Sequence, residues 1–167
     1  SAGLIAYEGF DLAEGENALV GTSGGAASTG WSGIWTNTTV DVAAGLSYGS
    51  LVVTGGAARL DGAGSGAFRA LATPFNTGTV WIGVLGVVTS GASYAGVSLF
   101  NNFNNERVFL GDTSVGTGWG FHPTGLGPAY MSGSNVADVA FLVLRIDWNV
   151  GATNNEQVFF WVNPALD

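Results

Sequence analysis

Twenty-eight glycines are scattered through 167 residues, and they interrupt nearly every stretch long enough to form an amphipathic helix. Each glycine in a helix interior costs about 1 kcal/mol relative to alanine, so helix is disfavoured from the start. The glycines keep no three-residue period, which excludes a collagen-like triple helix. Between Gly, Ser and Asn clusters lie short runs rich in Val, Ile, Phe, Trp and Thr, the pattern of an all-β sandwich or barrel. It predicts strands over residues 4–10, 33–36, 50–54, 57–60, 67–71, 79–88, 95–100, 107–111, 119–122, 129–131, 139–148 and 157–163, with a long polar loop over 11–30. Helix is expected in less than about a tenth of residues, against about a third in an average domain.

Period-2 alternation, which sends successive side chains to opposite faces of a strand, is clearest near the C-terminus. Ala140, Leu142, Leu144, Ile146 and Trp148 share one face; Val139, Phe141, Val143, Arg145 and Asp147 share the other. In the next strand Val158, Phe160 and Val162 oppose Gln157, Phe159, Trp161 and Asn163. The fully apolar face is expected between two sheets, and the mixed face partly in water. Residues 79–88 are apolar on both faces, with Val80, Ile82 and Val84 against Trp81 and Leu85, and are expected to form a central, covered strand. Gly83 and Gly86 leave room there for another backbone or a ring.

Apolar residues make up 47% of the chain and charged residues 10%, which argues against disorder. Four arginines and no lysine face twelve acids, a net charge of −8 that argues against nucleic acid and anionic membrane surfaces. The absence of cysteine removes disulfides, thiolate metal sites and thiol nucleophiles. No apolar run is long enough for a membrane-spanning helix, and no membrane insertion is expected. The chain opens on Ser1-Ala2-Gly3 without a methionine, as a mature chain does after signal-peptide removal and as a chain started at a chosen boundary does; the first reading carries the expectation of an extracellular or cell-surface location. With no repeat and no shift in composition, residues 1–167 read as a single domain.

A series of short segments then carries a resemblance. Tyr7-Glu8-Gly9-Phe10-Asp11 precedes Thr29-Gly30-Trp31-Ser32-Gly33-Ile34-Trp35 and Gly45-Leu46-Ser47-Tyr48. Tyr94-Ala95-Gly96-Val97-Ser98-Leu99-Phe100 and Glu106-Arg107-Val108-Phe109-Leu110-Gly111 follow, then Leu144-Arg145-Ile146-Asp147 and Phe160-Trp161-Val162-Asn163-Pro164. In that order they resemble the concanavalin A-like (LamG-like) jelly-roll domains of large secreted or surface-displayed bacterial proteins. The resemblance implies two antiparallel sheets packed as a jelly roll, often with a concave face that carries sugar ligands. It implies no single activity, since such domains include lectins, glucanases and structural modules. Those domains usually continue to a closing strand that pairs with the N-terminal one, whereas this sequence stops three residues after Pro164. The expectation is a sandwich short of that strand, with the backbone of residues 4–7 paired to another molecule or beside an open groove.

Glycoside hydrolysis needs two carboxyls flanking one bond. The glucanases of this superfamily carry Glu-x-Asp-x-x-Glu or Glu-x-Asp-x-Glu, and neither run occurs here. Glu14 and Glu16 alternate in a Gly-rich loop without a third acid, and Glu8 and Asp11 would face opposite sides of a strand. Backbone hydrogen bonding by Glu8 and Asp11 is the favoured reading, and the chain reads as no enzyme. His122 is the single histidine, with no Gly-x-Ser-x-Gly elbow to complete a triad and no nitrogen or sulfur partners for zinc. Calcium, which takes oxygen ligands, is the one metal worth weighing: Asn102, Asn104 and Glu106 form one oxygen-rich cluster, and Asn149, Asn154, Asn155 and Glu156 another. Tight turns give the same pattern, because Asn tolerates positive φ and caps its own backbone, and turns are favoured.

The aromatic residues, six Trp, ten Phe and four Tyr, are the most informative. Most belong to a core. Trp31, Trp35 and Trp119 sit among Gly, Ser and Thr, where a sugar's C–H face could stack on them; Arg145 and Trp161 join them as candidate ligand-binding residues. Packing at one end of the sandwich is the competing reading, favoured for Trp35 and level for Trp31 and Trp119. Two functions follow. One is a non-catalytic extracellular module that binds a glycan or other surface polymer. The other is a structural subunit that assembles with its own copies into a filament, sheath or surface layer by strand complementation.

Overall fold

The structure, a computed structural model, describes residues 3–62, 64–89, 94–102, 104–113, 118–125, 129–151 and 155–166. These residues are all-β: no helix occurs among them, and every pair of strands is antiparallel. Contacts divide the chain into two compact units, Ser1–Ser47 with Leu51–Phe75 and Tyr48–Ser50 with Asn76–Asp167.

The first unit holds β1 (Trp31–Asn37), β2 (Asp41–Ala44), β3 (Gly56–Arg59) and β4 (Ala67–Leu71). β1 pairs with β4, with a bulge between Ser32 and Thr36, and β2 pairs with β3. Leu19, Val40 and Val42 are its buried centre, with Phe10, Leu12, Ala18, Trp35 and Ala67 packed against them. Leu19 lies in the long 11–30 loop, so that loop contributes to the core as well as connecting strands.

Three sequence expectations change here. Residues 4–10 form no strand. Tyr7 alone bridges Thr29, with N–H···O=C bonds in both directions at 2.9 and 3.0 Å, and the chain reverses at Phe10, whose φ is 49°. The expected free edge at residues 4–7 is therefore not a strand edge, and Tyr7's backbone is satisfied within the chain. Residues 50–54 also form no strand: Val52 is 89% exposed, and valine favours a strand only where one face is buried. β2 was not expected, although the buried pair Val40 and Val42 shows the alternation that would have revealed it.

The second unit holds β5 (Thr79–Gly86), β6 (Ala95–Asn102), β7 (Asn105–Asp112), β8 (Trp119–His122), β9 (Tyr130–Met131), β10 (Ala140–Asp147) and β11 (Gln157–Val162). One sheet has the order β11-β10-β5, the other β6-β7-β8-β9. Alternation on β10 sends Ala140, Leu142, Leu144 and Ile146 inward, and Leu144 is fully buried. They meet Leu110 and Trp119 from the other sheet, while Phe160 and Val162 of β11 pack around them half-buried. Two sheets with a shared apolar layer make this unit a β-sandwich. The expectation that β5 is a central strand fails: β10 is central, and β5 is an edge whose second face is open. On that face Trp81 is exposed and Leu85 half-buried, so the layer is covered only in part.

Candidate functional site

In the first unit Trp31 and Trp35 stand 5.9 Å apart, and both indoles are tied to the protein. Trp31 Nε1 donates to the Tyr7 carbonyl at 2.9 Å, and Trp35 Nε1 donates to Glu8 Oε2 at 3.1 Å. Glu8 is the hub. It also accepts from the Phe10 N–H, the Ser28 hydroxyl and Arg69 Nη1, whose own side chain is as buried as the carboxylate, at 6% against 7% exposure. The carboxylate lies against Gly24, where φ is +83° and a Cβ would collide with it. Both half-buried indoles are thus hydrogen-bonded within the protein, and Glu8 does accept a backbone N–H, from Phe10.

Trp119 is a core residue, 2% exposed, with its ring over Gly86, so its expected role as a ligand-stacking surface is corrected. A neighbourhood of Gly and Ser in sequence says nothing about the strand that packs across from it.

Arg145 and Trp161 come together on the outer face of the β11-β10-β5 sheet, with two aromatics the sequence reading did not single out. In register, Arg145 lies between Trp81 and Phe159, and Val143 lies between Gly83 and Trp161. Trp81 and Trp161 are near-parallel, with centroids 5.6 Å apart and planes at 20°. Phe159 and Trp161 are 6.1 Å apart at 15°. The Arg145 guanidinium lies 5.4 Å from the Trp81 ring and 5.0 Å from the Phe159 ring, within cation–π range. Trp81 is 56% exposed, and Phe159 and Trp161 are each 38% exposed. Pairing parity held the missing signal: Trp81 and Phe159 fall on the same face as Arg145 once β10 is placed between them.

Asp147 holds the arginine. Its Oδ1 accepts from Arg145 Nε at 2.9 Å and its Oδ2 from Arg145 Nη2 at 2.6 Å, while Thr79 Oγ1 donates to Oδ1 at 2.7 Å. The hydrogen bonds from Arg145 and then Thr79 hold the Asp147 carboxyl below its ordinary value, against the opposing effect of burial. The forked pairing fixes the guanidinium plane between the rings.

The other oxygen-rich candidates hydrogen-bond within the protein. Asn102 Oδ1 accepts from the Asn104 N–H at 3.3 Å, closing the β6–β7 turn. Glu106 turns to hydroxyls: Tyr94 and Thr124 donate to Oε2 at 2.8 Å each, and Ser98 donates to Oε1. Burial pushes Glu106 upward, but those bonds and the nearby His122 outweigh it and hold its carboxyl low. Burial, then the bond to Glu106, pushes the Tyr94 phenol up to about 12. In the second cluster Asn155 Nδ2 donates to the Val150 carbonyl at 2.7 Å, again a turn, and Asn154 lies outside the described residues. Among the described residues no group of three or more His, Asp or Glu converges as a metal cage, and no helix is long and apolar enough to cross a membrane. No protein-family model matches the chain, and no curated protein or solved structure is significantly similar to it.

Proposed function

We propose that this chain is a non-catalytic extracellular module that binds glycans, and that its ligand face is the outer face of the β11-β10-β5 sheet. The observation that carries the reading is the exposed set of Trp81, Phe159 and Trp161, held near-parallel around a fixed Arg145. Rigid aromatic side chains in water cost apolar hydration that a ligand with a flat apolar face recovers, and a sugar's axial C–H face is such a surface. The arginine adds directional donors to the same surface. The resemblance to jelly-roll domains that carry sugars points the same way.

The test is retention of the purified chain on a panel of immobilised polysaccharides, followed by calorimetry on the best ligand. Trp81→Ala and Trp161→Ala should each weaken binding about tenfold or more, the scale of a loss at an interface hot spot. Unchanged binding in the double variant would move the site elsewhere. No retention on any polysaccharide would remove the glycan reading.

A second reading, self-assembly, draws on apolar side chains exposed in the first unit, Leu4 at 76% and Val52 at 89%. Light scattering on the same samples separates the two, since open-ended growth with concentration belongs to a structural subunit.

A further inference from the structure

We infer that the outer face of the β11-β10-β5 sheet takes a neutral, extended polysaccharide chain laid over Gly83, and discriminates against acidic glycans. This rests on the glycan reading above and narrows it to a ligand class.

Three observations carry the inference. The first is Gly83. It sits in the middle of β5, exposed, between Trp81 and Leu85 on the same face. Its φ is not among the positive ones, so the backbone does not require glycine there. A Cβ at this position would stand on the open face and meet the edge of the Phe141 ring at 3.1 and 3.4 Å. A glycine in a strand interior weakens the strand and marks a place where something approaches the backbone closely. Phe141 takes one side of that space, and the other is open to solvent beside Trp81 and, across Val143, Trp161.

The second is shape. From the Trp81–Arg145–Phe159 row to the Leu85–Phe141 row is four residues along the strands, about 13 Å, and three strands span about 10 Å across. Tyr48, 6.1 Å from Phe141, adds a further ring. An aromatic strip of this length suits a run of linked sugar rings better than a single residue.

The third is charge. Asp147 engages Nε and Nη2 of Arg145, so the guanidinium on this face is already neutralised. Asp147 takes Nε and Nη2, so Nη1 is the guanidinium group that can donate to a neutral hydroxyl or ring oxygen. The whole chain carries a net charge of −8, and the arginine on this face is already paired with Asp147, so a uronic acid polymer would meet net repulsion there.

The experiment is calorimetry of the full chain with cello-oligosaccharides and manno-oligosaccharides against oligogalacturonates of equal length, at low and high salt. The expected result is binding of a neutral series with little salt dependence, and weaker binding of the acidic one. Gly83→Val should weaken neutral binding about tenfold or more by filling the gap. Gly83→Ala, the gentler change, should weaken it less, and a cooperative thermal unfolding transition in each variant shows that it is folded and that the Phe141 ring has made room. Arg145→Lys, which keeps the charge but loses the planar fork, should also weaken binding. Preferred binding of the acidic series, falling as salt rises, would overturn the inference and leave the glycan reading standing. Parent-like neutral binding by a folded Gly83→Val would overturn the use of the gap. Binding of neither series, with retention on some other polysaccharide, would overturn the ligand class alone. No binding to any glycan would sink both readings.

Discussion

Glu8, Arg69, Trp31 and Trp35 in the first unit, and Asp147, Arg145, Trp81 and Trp161 in the second, are built from the same carboxylate, guanidinium and indole groups. Their surroundings differ in one respect that decides what each does. Arg69 and Glu8 are 61 residues apart in sequence, and both are buried. Arg69 also donates to the Ser23 carbonyl at 2.6 Å, the Ser28 hydroxyl at 2.7 Å and the Gly33 carbonyl at 3.1 Å, so it ties the long loop to β1 and β4. Arg145 and Asp147 are two residues apart on one strand, and the longer link from Thr79 to Asp147 runs between strands already paired in the sheet. A network that closes long loops is organising the fold. One that only orients a side chain already on a rigid strand is free to meet a ligand. Tryptophan beside arginine is thus no marker of a binding site until its sequence range and exposure are known.

The largest expected effect comes from breaking the sealed network. Glu8→Ala leaves Arg69 charged and buried, and should cost about 3–5 kcal/mol of stability in urea unfolding. The same truncation at Asp147 should cost clearly less, because Arg145 can turn to water. If the two losses are alike, the contrast between the networks is wrong.

The two faces of the second unit's three-stranded sheet give the next contrast. Leu144→Ala should cost about 2–5 kcal/mol through the cavity it leaves between the sheets. Trp81→Ala, on the neighbouring strand but on the open face, should cost about 1 kcal/mol or less, since only ring contacts are lost. A larger loss at Trp81 than at Leu144, measured by chemical denaturation, would mean that the open face is holding the fold together.

The sequence was most readable where both faces of a strand differ strongly. The 67–71 and 119–122 strands fall where the pattern places them, and the 139–148 and 157–163 runs shrink only at their ends. The inner face of β10 follows from alternation alone. Reading failed where a residue's fate depends on a partner distant in sequence. Trp119 sits in a Gly-rich neighbourhood, but its burial is decided by β10 and by Gly86 across the core. Residues 4–10 looked like a strand because they are apolar, yet a left-handed Phe10 and a single bridge to Thr29 consume them. Of the residues on the sheet's open face, Arg145 and Trp161 were visible as a mixed face, while Trp81 and Phe159 needed the strand order. No local pattern could show that β5 is an edge.

The smallest and most specific contrast lies between two mostly buried aspartates at strand ends in the second unit. Burial pushes the Asp112 carboxyl above its ordinary 3.8, whereas the Arg145 and Thr79 hydrogen bonds hold Asp147 below it. The signs of their stability contributions are therefore opposite. Asp147, with its folded value depressed, stabilises the protein fully above 3.8, and that contribution is lost as pH falls through the folded value. Asp112, with its folded value raised, costs stability once pH climbs through that value, and the cost vanishes below 3.8. Asp112→Asn should therefore raise the thermal unfolding midpoint at neutral pH and leave it unchanged in acid. Asp147→Asn should lower it at neutral pH, with the difference shrinking as acid protonates the parent. Midpoints of the parent and both variants, taken from neutral pH to below 3.8, decide the matter: two shifts of the same sign at neutral pH would show that Asp112 has a stabilising partner, and that burial alone does not set its proton affinity.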